Sequence, residues 1–413
     1  MKILVVSQYF WPEEFRINDI CQGLVEEGHE VEVLTGMPNY PGGEYFKGFS
    51  FFKRGEKEYK GIKIRRCFCI PRGKNSKLKL ILNYLSFAIS SLFHIPFLIK
   101  NKYDKVFVYQ LSPITMAIPG ILIKKIKKIP MDIYILDLWP ESLLSTVNIK
   151  SNKVRKIMFY LCKKIYKSAN LIYITSKGFK NKLLSYGIES GQIIYLPQWA
   201  EDIYKDKSIE NDSETKFISK SKFNILFAGN IGKAQSIDTI IQAANLCKKN
   251  NNIQWIIVGD GSEKISSEQT VEQLGLTENV CFIGRKPLSH MPKYYNAADA
   301  LLVTLGEDEL FKITVPAKVQ SYMASGKPIL GAISGEGYNV IKESNCGLVC
   351  EAKDYIGLAK IAQQMYDMDI LDREKFGDNG LKYFKDNFDR NILLKKINYL
   401  LQEGCKEEEY VQG

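Results

Sequence analysis

The sequence predicts an α/β protein with two domains, each a parallel sheet covered by helices on both faces. Short apolar runs alternate with helical patterns along the 413 residues, and such alternation is typical of parallel sheets with crossover helices. The apolar runs are continuous, as in strands that are buried on both faces. The pattern stops at one polar stretch and then begins again, and the length suits two domains of ordinary size.

The first domain is predicted to span residues 1–200. Its strands are predicted at Ile3–Ser7, Glu30–Thr35, Ile62–Cys67, Lys105–Tyr109, Ile133–Leu136, Leu171–Thr175 and Gln192–Tyr195. The helices between them include Asn18–Glu27, Pro113–Lys128, Lys153–Ser168 and Lys177–Tyr186. The loops that follow the strands then share one edge of the sheet, which is where open α/β sheets bind their ligands.

A polar linker, residues 201–221, is predicted to separate this domain from a second one at residues 222–385. The second set of strands is predicted at Asn224–Phe227, Gln254–Val258, Val280–Phe282 and Ala300–Val303. The helices are predicted at Ile237–Lys248, Glu263–Leu274 and Met291–Ala297. Residues 386–413 are predicted to form a C-terminal helical segment.

The charge of the chain is unevenly distributed. Residues 1–200 carry 31 Lys and Arg against 15 Asp and Glu, a net charge of +16, whereas the whole chain carries +11. A basic first domain favours an anionic partner: a membrane surface, a nucleic acid or a phosphorylated acceptor. The nine cysteines form no CxxC pair, which argues against a zinc site or a disulfide framework and suits a reducing cytoplasm. Met1 leads directly into the first strand, so no signal peptide is predicted.

Residues 78–99 are mostly apolar and about as long as a membrane-spanning helix. The run is interrupted by polar residues and a proline, so a transmembrane span is not favoured. These residues are Lys79, Asn83, His94 and Pro96. Two alternatives remain: a buried or half-buried crossover helix, and a helix that inserts into the membrane surface. Lysines at both ends of the run and in the KKIKK cluster at 124–128 support the second, because an apolar face with basic flanks holds anionic lipid.

The stretch Thr314–Leu330 is the most informative motif in the chain. It predicts a helix from Pro316 to about Ala324, because proline suits the first helical position and Gly326 suits a left-handed C-cap. An apolar strand follows from Pro328. The unpaired amides at such a helix start favour an anion, for example a diphosphate.

The loop after the first strand of the second domain, Ala228–Ser236, also suits a phosphate group. Gly229 and Gly232 would let backbone amides approach an oxyanion, and Lys233 supplies a positive charge. Many loops between a strand and a helix contain Gly and Lys, so this motif alone does not identify the ligand.

Two further loops belong to the same edge of the predicted sheet. Gly259 and Gly261 form a GDG turn after the second strand, and Arg285 follows the third strand, where it could reach a base or a phosphate. A dinucleotide-binding dehydrogenase is not favoured, because Lys264 stands where the third glycine of that motif would be.

Together these motifs resemble the donor site of glycosyltransferase family 4, retaining enzymes of the GT-B fold. The resemblance covers nearly the whole chain and is strongest in residues 224–261 and 314–330. It implies two Rossmann-like domains facing across a cleft, with the C-terminal helix crossing back over the first. It also implies that the residues that bind a nucleotide-sugar donor are Gly229, Asn230, Gly232, Lys233, Gln235, Gly259, Gly261, Arg285, Thr314, Val315, Pro316, Lys318 and Gln320.

The sequence departs from this family at both of its charged patterns. Asn230 and Gln235 stand where the family has an Arg and a Lys, so the positive charge near the diphosphate is expected from Lys233 and Lys318.

Lys312 and Gln320 stand where the family has a pair of acidic residues. A subgroup resembling bacterial O-antigen and capsule transferases, including transferases of N-acetyl-L-fucosamine, shares this pattern and a TVP-x-K-x-Q-S-Y core. The change is therefore interpreted as a subfamily trait. The three acidic residues at 307–309 could face the sugar or belong to a solvated loop.

In the first domain, the segment LDLWPES at residues 136–142 directly follows a strand. Asp137, Trp139 and Glu141 are thus predicted at the carboxyl edge of the sheet. Asp137 and Glu141, with Lys233, are the predicted catalytic residues, although Glu141 also suits the first turn of a helix.

The acceptor is predicted to bind mainly to the first loop of the first domain, Ser7–Arg16, together with Trp139. The residues assigned to the acceptor in this loop are Tyr9, Phe10, Trp11, Glu13, Glu14 and Arg16. Aromatic rings and carboxylates suit a sugar; in the alternative interpretation the rings only cap the edge of the sheet.

The function predicted from these residues and the resemblance is that of a retaining glycosyltransferase. It would move a sugar, such as N-acetyl-L-fucosamine, from a UDP-sugar to a polyprenyl-diphosphate-linked saccharide in O-antigen or capsule synthesis. The enzyme is expected in the cytoplasm, held peripherally against an anionic inner membrane face. No metal or other cofactor is predicted, since the only D-x-D triplet, residues 367–369, lies in the helical tail.

Two alternatives were weighed. A UDP-sugar epimerase of the same fold is less favoured, because the three histidines share no motif. A non-catalytic nucleic-acid-binding protein would use the basic first half, but such proteins read single strands from an exposed sheet, whereas these strands are apolar on both faces. No nucleic-acid partner is therefore predicted.

Overall fold

The structure is a computed structural model that describes residues 1–73, 76–147, 149, 151–205, 215 and 218–404. It divides into two compact units. The first contains residues 1–175 and 179–196 and the chain from residue 394, and the second contains residues 176–178 and 197–393. Most of the predicted linker lies outside the described residues, as does Lys74 at the start of the apolar segment.

The first unit contains an eight-stranded sheet. Its strands are β1 (Lys2–Val6), β2 (Glu30–Thr35), β3 (Glu58–Tyr59), β4 (Ile62–Arg66), β5 (Lys105–Gln110), β6 (Met131–Ile135), β7 (Ile172–Ile174) and β8 (Ile193–Tyr195). They lie in the order β3-β4-β2-β1-β5-β6-β7-β8. Every pair is parallel except β3 with β4. The two-residue strand β3, too short for a pattern, was not predicted.

Seven α-helices connect these strands: α1 (Arg16–Glu26), α2 (Lys77–Leu92), α3 (Ile95–Leu98), α4 (Ile118–Lys127), α5 (Glu141–Thr146), α6 (Asn152–Tyr166) and α7 (Phe179–Ser185). Short 3-10 turns lie at Ile114–Ala117 and Ser190–Gln192, and a third, at Asp202–Lys205, belongs to the second unit. The predicted helix Pro113–Lys128 is thus a 3-10 turn followed by α4, and Lys128 ends it in the left-handed conformation.

The second unit contains a six-stranded parallel sheet. Its strands are β9 (Phe223–Ala228), β10 (Ile253–Val258), β11 (Val280–Gly284), β12 (Ala300–Thr304), β13 (Ile329–Ala332) and β14 (Gly347–Cys350), in the order β11-β10-β9-β12-β13-β14. Its helices are α8 (Ile237–Cys247), α9 (Lys264–Gln273), α10 (Met291–Ala297), α11 (Glu309–Lys312), α12 (Ala317–Ser325), α13 (Glu336–Glu343), α14 (Tyr355–Asp367) and α15 (Ile370–Asn387). Short 3-10 turns lie at Lys233–Gln235 and Leu288–His290.

Both faces of this second sheet are buried. Along β9, Leu226 and Ala228 belong to one apolar cluster, whereas Ile225 and Phe227 belong to another. Successive side chains of a strand point to opposite faces, so the two clusters are the cores on either side of the sheet. The prediction of parallel sheets with helices on both faces is confirmed.

The last helix, α16 (Arg390–Glu403), ends against the first unit. Lys105 and Asp132 form a buried ion pair at 2.8 Å, and the Tyr173 hydroxyl donates to the same carboxylate at 2.8 Å. The Lys105 Nζ also donates to the carbonyls of Leu400 and Leu401 at the end of α16, at 3.3 and 3.0 Å. A lysine at a helix carboxyl end satisfies orphan carbonyls and complements the helix dipole. The predicted return of the C-terminal helix is confirmed.

The apolar segment 78–99 forms α2 and α3, with a break at Phe93 and His94. The inner face of α2 carries polar Asn83, which accepts a hydrogen bond from Gln8 at 2.7 Å and donates to the carbonyl of Ile70 at 2.6 Å. Among the described residues, no helix is both long and apolar enough to cross a membrane. The eight cysteines within the described chain form no disulfide.

Candidate donor and acceptor sites

Helix α12 begins one residue later than predicted. Pro316 is its N-cap, with φ −63° and ψ 133°, and the helix runs from Ala317 to Ser325. Gly326 ends it with φ 67°, the left-handed conformation that the sequence predicted. For the amides of its first turn to face the loops that follow β9 and β10, the helix must be held in place by contacts with the sheet.

Tyr322 provides such a contact. Its hydroxyl accepts a hydrogen bond from the amide of Ala228, the last residue of β9, at 3.2 Å. It also donates to the carbonyl of Leu302 in β12, at 3.3 Å. The Tyr322 side chain is fully buried. One side chain of α12 thus joins the helix to two neighbouring strands.

The segment before α12 is held by close backbone packing. A Cβ on Gly335, which has a φ of +72°, would lie 1.9 Å from the carbonyl oxygen of Lys312. A Cβ on Gly337 would lie 3.0 Å from the Pro316 ring. The start of α13 therefore needs glycine at these places, because larger residues would displace the entry into α12.

Lys318, in the first turn of α12, has the most unusual environment in the second unit. Its Nζ is buried without a hydrogen-bond partner and lies 3.7 Å from the centre of the Phe227 ring. A Cβ on Gly229 would come within 2.5 Å of this Nζ. Burial lowers the pKa of the Lys318 ammonium from 10.5 to about 7, since a low dielectric disfavours the charged form.

The glycines after β9 and β10 pack backbone against backbone. A Cβ on Gly259 would lie 1.8 Å from the Gly229 carbonyl oxygen, and one on Gly261 would lie 2.3 Å from that of Ile231. The Gly229 amide donates to the carbonyl of Val258 at 2.9 Å. The predicted role of this amide on an oxyanion is therefore corrected: it is used within the sheet, and the glycines allow two loops to touch.

Asn230 and Gln235, at the positions where a cationic pair was expected from the family, contact each other. The Asn230 Nδ2 donates to the Gln235 Oε1 at 3.1 Å. A Cβ on Gly232 would lie 2.5 Å from the same Nδ2. Lys233 is exposed at the start of the short 3-10 turn, so it projects from a loop whose shape the amide pair fixes.

The remaining predicted donor residues differ in exposure. Arg285 is exposed and follows Gly284, whose φ is +72°. Thr314 and Val315 are partly exposed, and the Thr314 hydroxyl donates to the carbonyl of Leu310 at 2.8 Å. Gln320, which was predicted to bind the donor, is only 4% exposed, so its side chain does not lie on an open surface.

The acidic residues before α12 are occupied by local contacts. The Asp308 side chain caps α11 by accepting from the Leu310 amide at 2.8 Å. Glu309 pairs with Lys312 at 2.7 Å, and Glu307 is exposed. These contacts agree with the alternative of a solvated loop, at least for Asp308 and Glu309.

In the first unit, Asp137 lies after β6, where the sequence placed it. Its carboxylate accepts from the Ser112 hydroxyl at 2.8 Å, and the Trp139 indole donates to the same hydroxyl oxygen at 2.9 Å. Burial raises the pKa of Asp137, partly offset by the hydrogen bond from Ser112. Sequence reasoning missed Ser112 and also Tyr84 on α2, whose ring lies edge-on to Trp139 at 6.4 Å.

Glu141 begins α5 and accepts a short hydrogen bond from the Tyr186 hydroxyl. Its other carboxylate oxygen, Oε2, is buried without a hydrogen-bond partner. Glu141 thus lies in the first turn of a helix, as one interpretation of the sequence had it. Its unpaired oxygen is the feature on which a test of the predicted catalytic role can be based.

The first loop of the first unit differs from its prediction. Tyr9 and Phe10 are buried, at 3% and 0% exposure, so their rings cap the edge of the sheet and form no open platform for a sugar. Trp11 is partly exposed and stacks on Tyr59, with ring centres 4.5 Å apart. Of the charged residues in the loop, Glu14 is exposed, Arg16 is partly exposed and Glu13 is buried.

Glu13 has a structural role that the sequence did not suggest. Its carboxylate accepts from the amides of Asn39 and Tyr40, both at 2.8 Å, and more weakly from that of Phe10. Burial raises the pKa of Glu13 to about 7. This carboxylate joins the first loop to the loop after β2, and it is not available to an acceptor.

The described residues contain no group of three or more His, Cys, Asp or Glu side chains placed to hold a metal ion. The D-x-D triplet at 367–369 spans the end of α14 and the N-cap of α15, where Asp369 accepts from the Leu371 amide at 2.9 Å.

These two Rossmann-like units define the class of the protein, which has the GT-B fold. The structure of Anabaena HepE in complex with UDP superimposes with a TM-score of 0.72 at 15% identity, covering 97% of this chain and 99% of that one. Residues 208–383, most of the second unit, match the family model of Glycosyl transferases group 1.

Two relatives match most of the sequence. The colanic acid biosynthesis glycosyl transferase WcaI of Escherichia coli K12, a putative assignment, is 25% identical over 85% of this chain and 86% of its own length. The glycosyltransferase WbjE of Pseudomonas aeruginosa, described as probable, is 23% identical over 81% and 83%. Both similarities extend well beyond the matched domain into the first unit.

Proposed function

We propose that this protein is a retaining glycosyltransferase that uses a UDP-sugar as donor. The observation that carries the proposal is the buried ammonium of Lys318. It stands without an acceptor in the first turn of α12 and against the Gly229 turn, inside a matched glycosyl transferase domain. A helix start with an unpaired buried cation suits a diphosphate, because both stabilise negative charge.

The choice of UDP rests on the similarity of this fold to HepE, whose structure contains UDP. We propose Gly229, Gly259 and Gly261 as the floor of the donor site, Lys233 and Lys318 as its cations, and Arg285 as a contact to the base. Thr314, Val315 and Pro316 shape the helix start, and Gln320 supports it from within. Asn230, Gly232 and Gln235 fix the form of the loop.

The chemistry follows from where charge develops. As the sugar leaves, negative charge grows on the diphosphate, and Lys318 and Lys233 stabilise it in the transition state. We propose Asp137 and Glu141 as the acidic groups of the acceptor side, with Trp139 packing beside them. The acceptor hydroxyl attacks the face that the diphosphate leaves, and a phosphate oxygen takes its proton. Metal is not required in this proposal.

The acceptor we propose is a polyprenyl-diphosphate-linked saccharide in the synthesis of an O-antigen or capsule. Support comes from the similarity to relatives named for colanic acid and other cell-surface polysaccharide steps. For the sugar we propose an N-acetylated deoxyhexosamine such as N-acetyl-L-fucosamine. The basis is the TVP-x-K-x-Q-S-Y core, together with Lys312 and Gln320 at the two positions of the family's acidic pattern.

Calorimetry on the full-length protein tests the donor. With excess EDTA present, we expect UDP to bind and GDP and ADP to bind at least tenfold more weakly. Hydrolysis of a panel of UDP-sugars, also with EDTA, should then reveal the preferred donor. Binding of no nucleotide would defeat the proposal, and activity that is lost with EDTA and restored by manganese would defeat its metal-free mechanism.

We also propose that the first unit binds the membrane surface through α2. The outer face of this helix and of the break after it exposes large apolar side chains, for example Leu78 at 68% and Phe93 at 74%. The other members of this apolar face are Ile81, Leu82, Leu85, Ile89, Leu92 and Phe97. An exposed apolar patch on a folded protein marks an interaction site, and neighbouring lysines select an anionic lipid as its partner.

The basic residues lie around this face. Lys77 and Lys79 begin α2, and α4, which packs against α2, carries three lysines in its last turn. Ile126 of α4 is 54% exposed between them. Apolar insertion combined with polybasic attraction is how monotopic proteins hold anionic membranes.

A flotation assay measures this interaction. We expect the protein to float with vesicles containing anionic lipid, to float less at high salt and to bind neutral vesicles weakly. Replacing Ile89 and Phe93 by serine should abolish the salt-resistant part, whereas the same change at exposed Leu246 of α8 should have no effect. Equal binding to neutral and anionic vesicles, or to neither, would exclude the proposed surface.

A further inference from the structure

The loop that connects β2 with β3 forms a cavity that the sequence did not reveal. The cavity measures about 800 Å³ and is lined by aromatic residues, among them Trp11 of the first loop and Phe46, Phe49 and Phe52 of the connecting loop. Phe52 is 91% exposed. The ring of Phe51, also exposed, contacts it edge-on at 4.8 Å, and contiguous exposed apolar side chains of this kind mark an interaction site.

Three cations line the same cavity: Lys47, Lys53 and Arg54. Glu56 is the one acidic side chain among its lining residues. A cavity lined by aromatic rings, with three positively charged side chains and one negatively charged side chain, suits an anion that carries an apolar chain. Phosphate groups are the anions that paired Lys and Arg bind best.

A fourth cation lies behind the aromatic wall. Arg66 is 3% exposed, and its Nη2 donates to the carbonyl of Trp11 at 2.7 Å. Its guanidinium carbon lies 5.1 Å from the centre of the Phe49 ring. The Nε and Nη1 atoms of Arg66 have no hydrogen-bond partner. The carboxylates of Glu13 and Glu56 act on the charge of this guanidinium, and its two unused donors leave it able to attract a further anion next to the two lining residues that it contacts.

The loop that forms the cavity is linked to α2 through Phe68. The ring of Phe51, between the lining residues, packs on Phe68 at 4.8 Å, and the Ser90 hydroxyl of α2 bonds the carbonyl of Phe68. Arg54 is close enough to His94 at the end of α2 to act on its charge: burial, with Arg54 and Arg65, lowers the pKa of this imidazole to about 4. The cavity thus opens beside the surface that faces lipid in the proposed function.

We infer that this cavity binds the diphosphate and the first isoprene units of a prenyl-diphosphate-linked acceptor. Lys47, Lys53 and Arg54 would hold the diphosphate, with Arg66 reinforcing them from behind, while Phe46, Phe49 and Phe52 would cover the isoprenoid. A diphosphate on a prenyl chain is the one part of such an acceptor that is both anionic and apolar. This inference rests on the proposed function and names the residues that recognise its acceptor.

The test measures binding of farnesyl diphosphate to the full-length protein with UDP at saturation, so that the donor site is occupied. We expect the K53Q/R54Q variant to bind farnesyl diphosphate at least tenfold more weakly, because a charge-assisted hydrogen bond contributes about 1.5–3 kcal/mol. K57Q removes one charge from an exposed position next to the cavity and should stay within twofold. F52S should weaken farnesyl diphosphate binding but not the weaker binding of inorganic diphosphate.

Each result decides the inference. Equal affinity of K53Q/R54Q and the unchanged protein, or an equal loss in K57Q, would overturn it, as would farnesol binding as tightly as farnesyl diphosphate. UDP affinity, measured in parallel, should be the same in all three variants. If no sample binds UDP, the proposed function is contradicted. If every sample binds UDP but K53Q/R54Q binds farnesyl diphosphate as tightly as the unchanged protein, only the role of this cavity is contradicted.

Discussion

Replacing Lys318 by methionine is expected to slow sugar transfer about 10²- to 10³-fold, a loss of about 3–4 kcal/mol in transition-state stabilisation. The Lys318 ammonium is buried over the Phe227 ring and beside the Gly229 turn, so a departing diphosphate would be its first strong partner. Methionine keeps the apolar stem and removes the charge. The measurement is turnover at saturating donor, with a melting temperature that should not fall.

The same variant has a matched control and a second readout. Lys248 is exposed at the far end of α8, and Lys248→Met should leave turnover within twofold. Because the pKa of Lys318 is about 7 in the empty protein, the side chain is mostly neutral above that pH, and a bound diphosphate would draw one proton onto it. UDP affinity should therefore fall by up to tenfold per pH unit from pH 7.5 to 9.

This pH range avoids the terminal phosphate of UDP, which titrates near pH 6. In Lys318→Met the slope should disappear, because the group that takes up the proton is absent. A slope that is unchanged in the variant, or turnover within threefold of the original protein, would assign the diphosphate to another cation, of which Lys233 and Arg285 are the other proposed members of the donor site.

Replacing Lys105 by alanine is expected to destabilise the first unit by about 3–5 kcal/mol, since it leaves the buried carboxylate of Asp132 unpaired. It also removes the donor to the last carbonyls of α16. For a unit of this size the melting temperature of the first transition should fall by at least about 6 °C. Scanning calorimetry is the direct measurement.

Two variants sharpen this test. Lys2 pairs with Glu30 at 3.2 Å on the surface, and Lys2→Ala should cost less than about 1 kcal/mol. A Lys105→Met/Asp132→Leu double replacement removes both buried charges and should recover much of the loss. The explanation fails if Lys105→Ala lowers the melting temperature no more than Lys2→Ala does.

Periodicity alone was sufficient to predict nearly every strand. The continuous apolar run that contains Ile225 and Phe227 is strand β9, and the loop after it carries several of the predicted donor residues. Periodicity was not sufficient to predict which apolar side chains are exposed. The side chains of Leu78 and Ile89 are as apolar as those of any buried helix, and only the packing of Asn83 against Gln8 shows which face of α2 points inward.

The site residues divide in the same way. Lys318 was predicted from a local motif, but its burial depends on Phe227, which lies far away in the sequence. Glu13 was assigned to the acceptor because it lies in an aromatic loop. In the structure, its carboxylate accepts hydrogen bonds from the amides of Asn39 and Tyr40. Contacts between segments that lie apart in the sequence decide both cases, and local sequence patterns do not reveal such contacts. The basic aromatic run at Lys47–Arg54 was the one available signal for the cavity.

The capping of α16 by Lys105 bears on how the chain is made. A ribosome releases Lys105 and Asp132 long before it releases Leu400 and Leu401, whose carbonyls complete the hydrogen bonds of that lysine. The domain that is synthesised first is thus the last to acquire all of its partners. Until translation passes α16, the nascent first unit lacks its final helix, and a ribosome that stalls before that point leaves an unfinished domain exposed to chaperones and proteases.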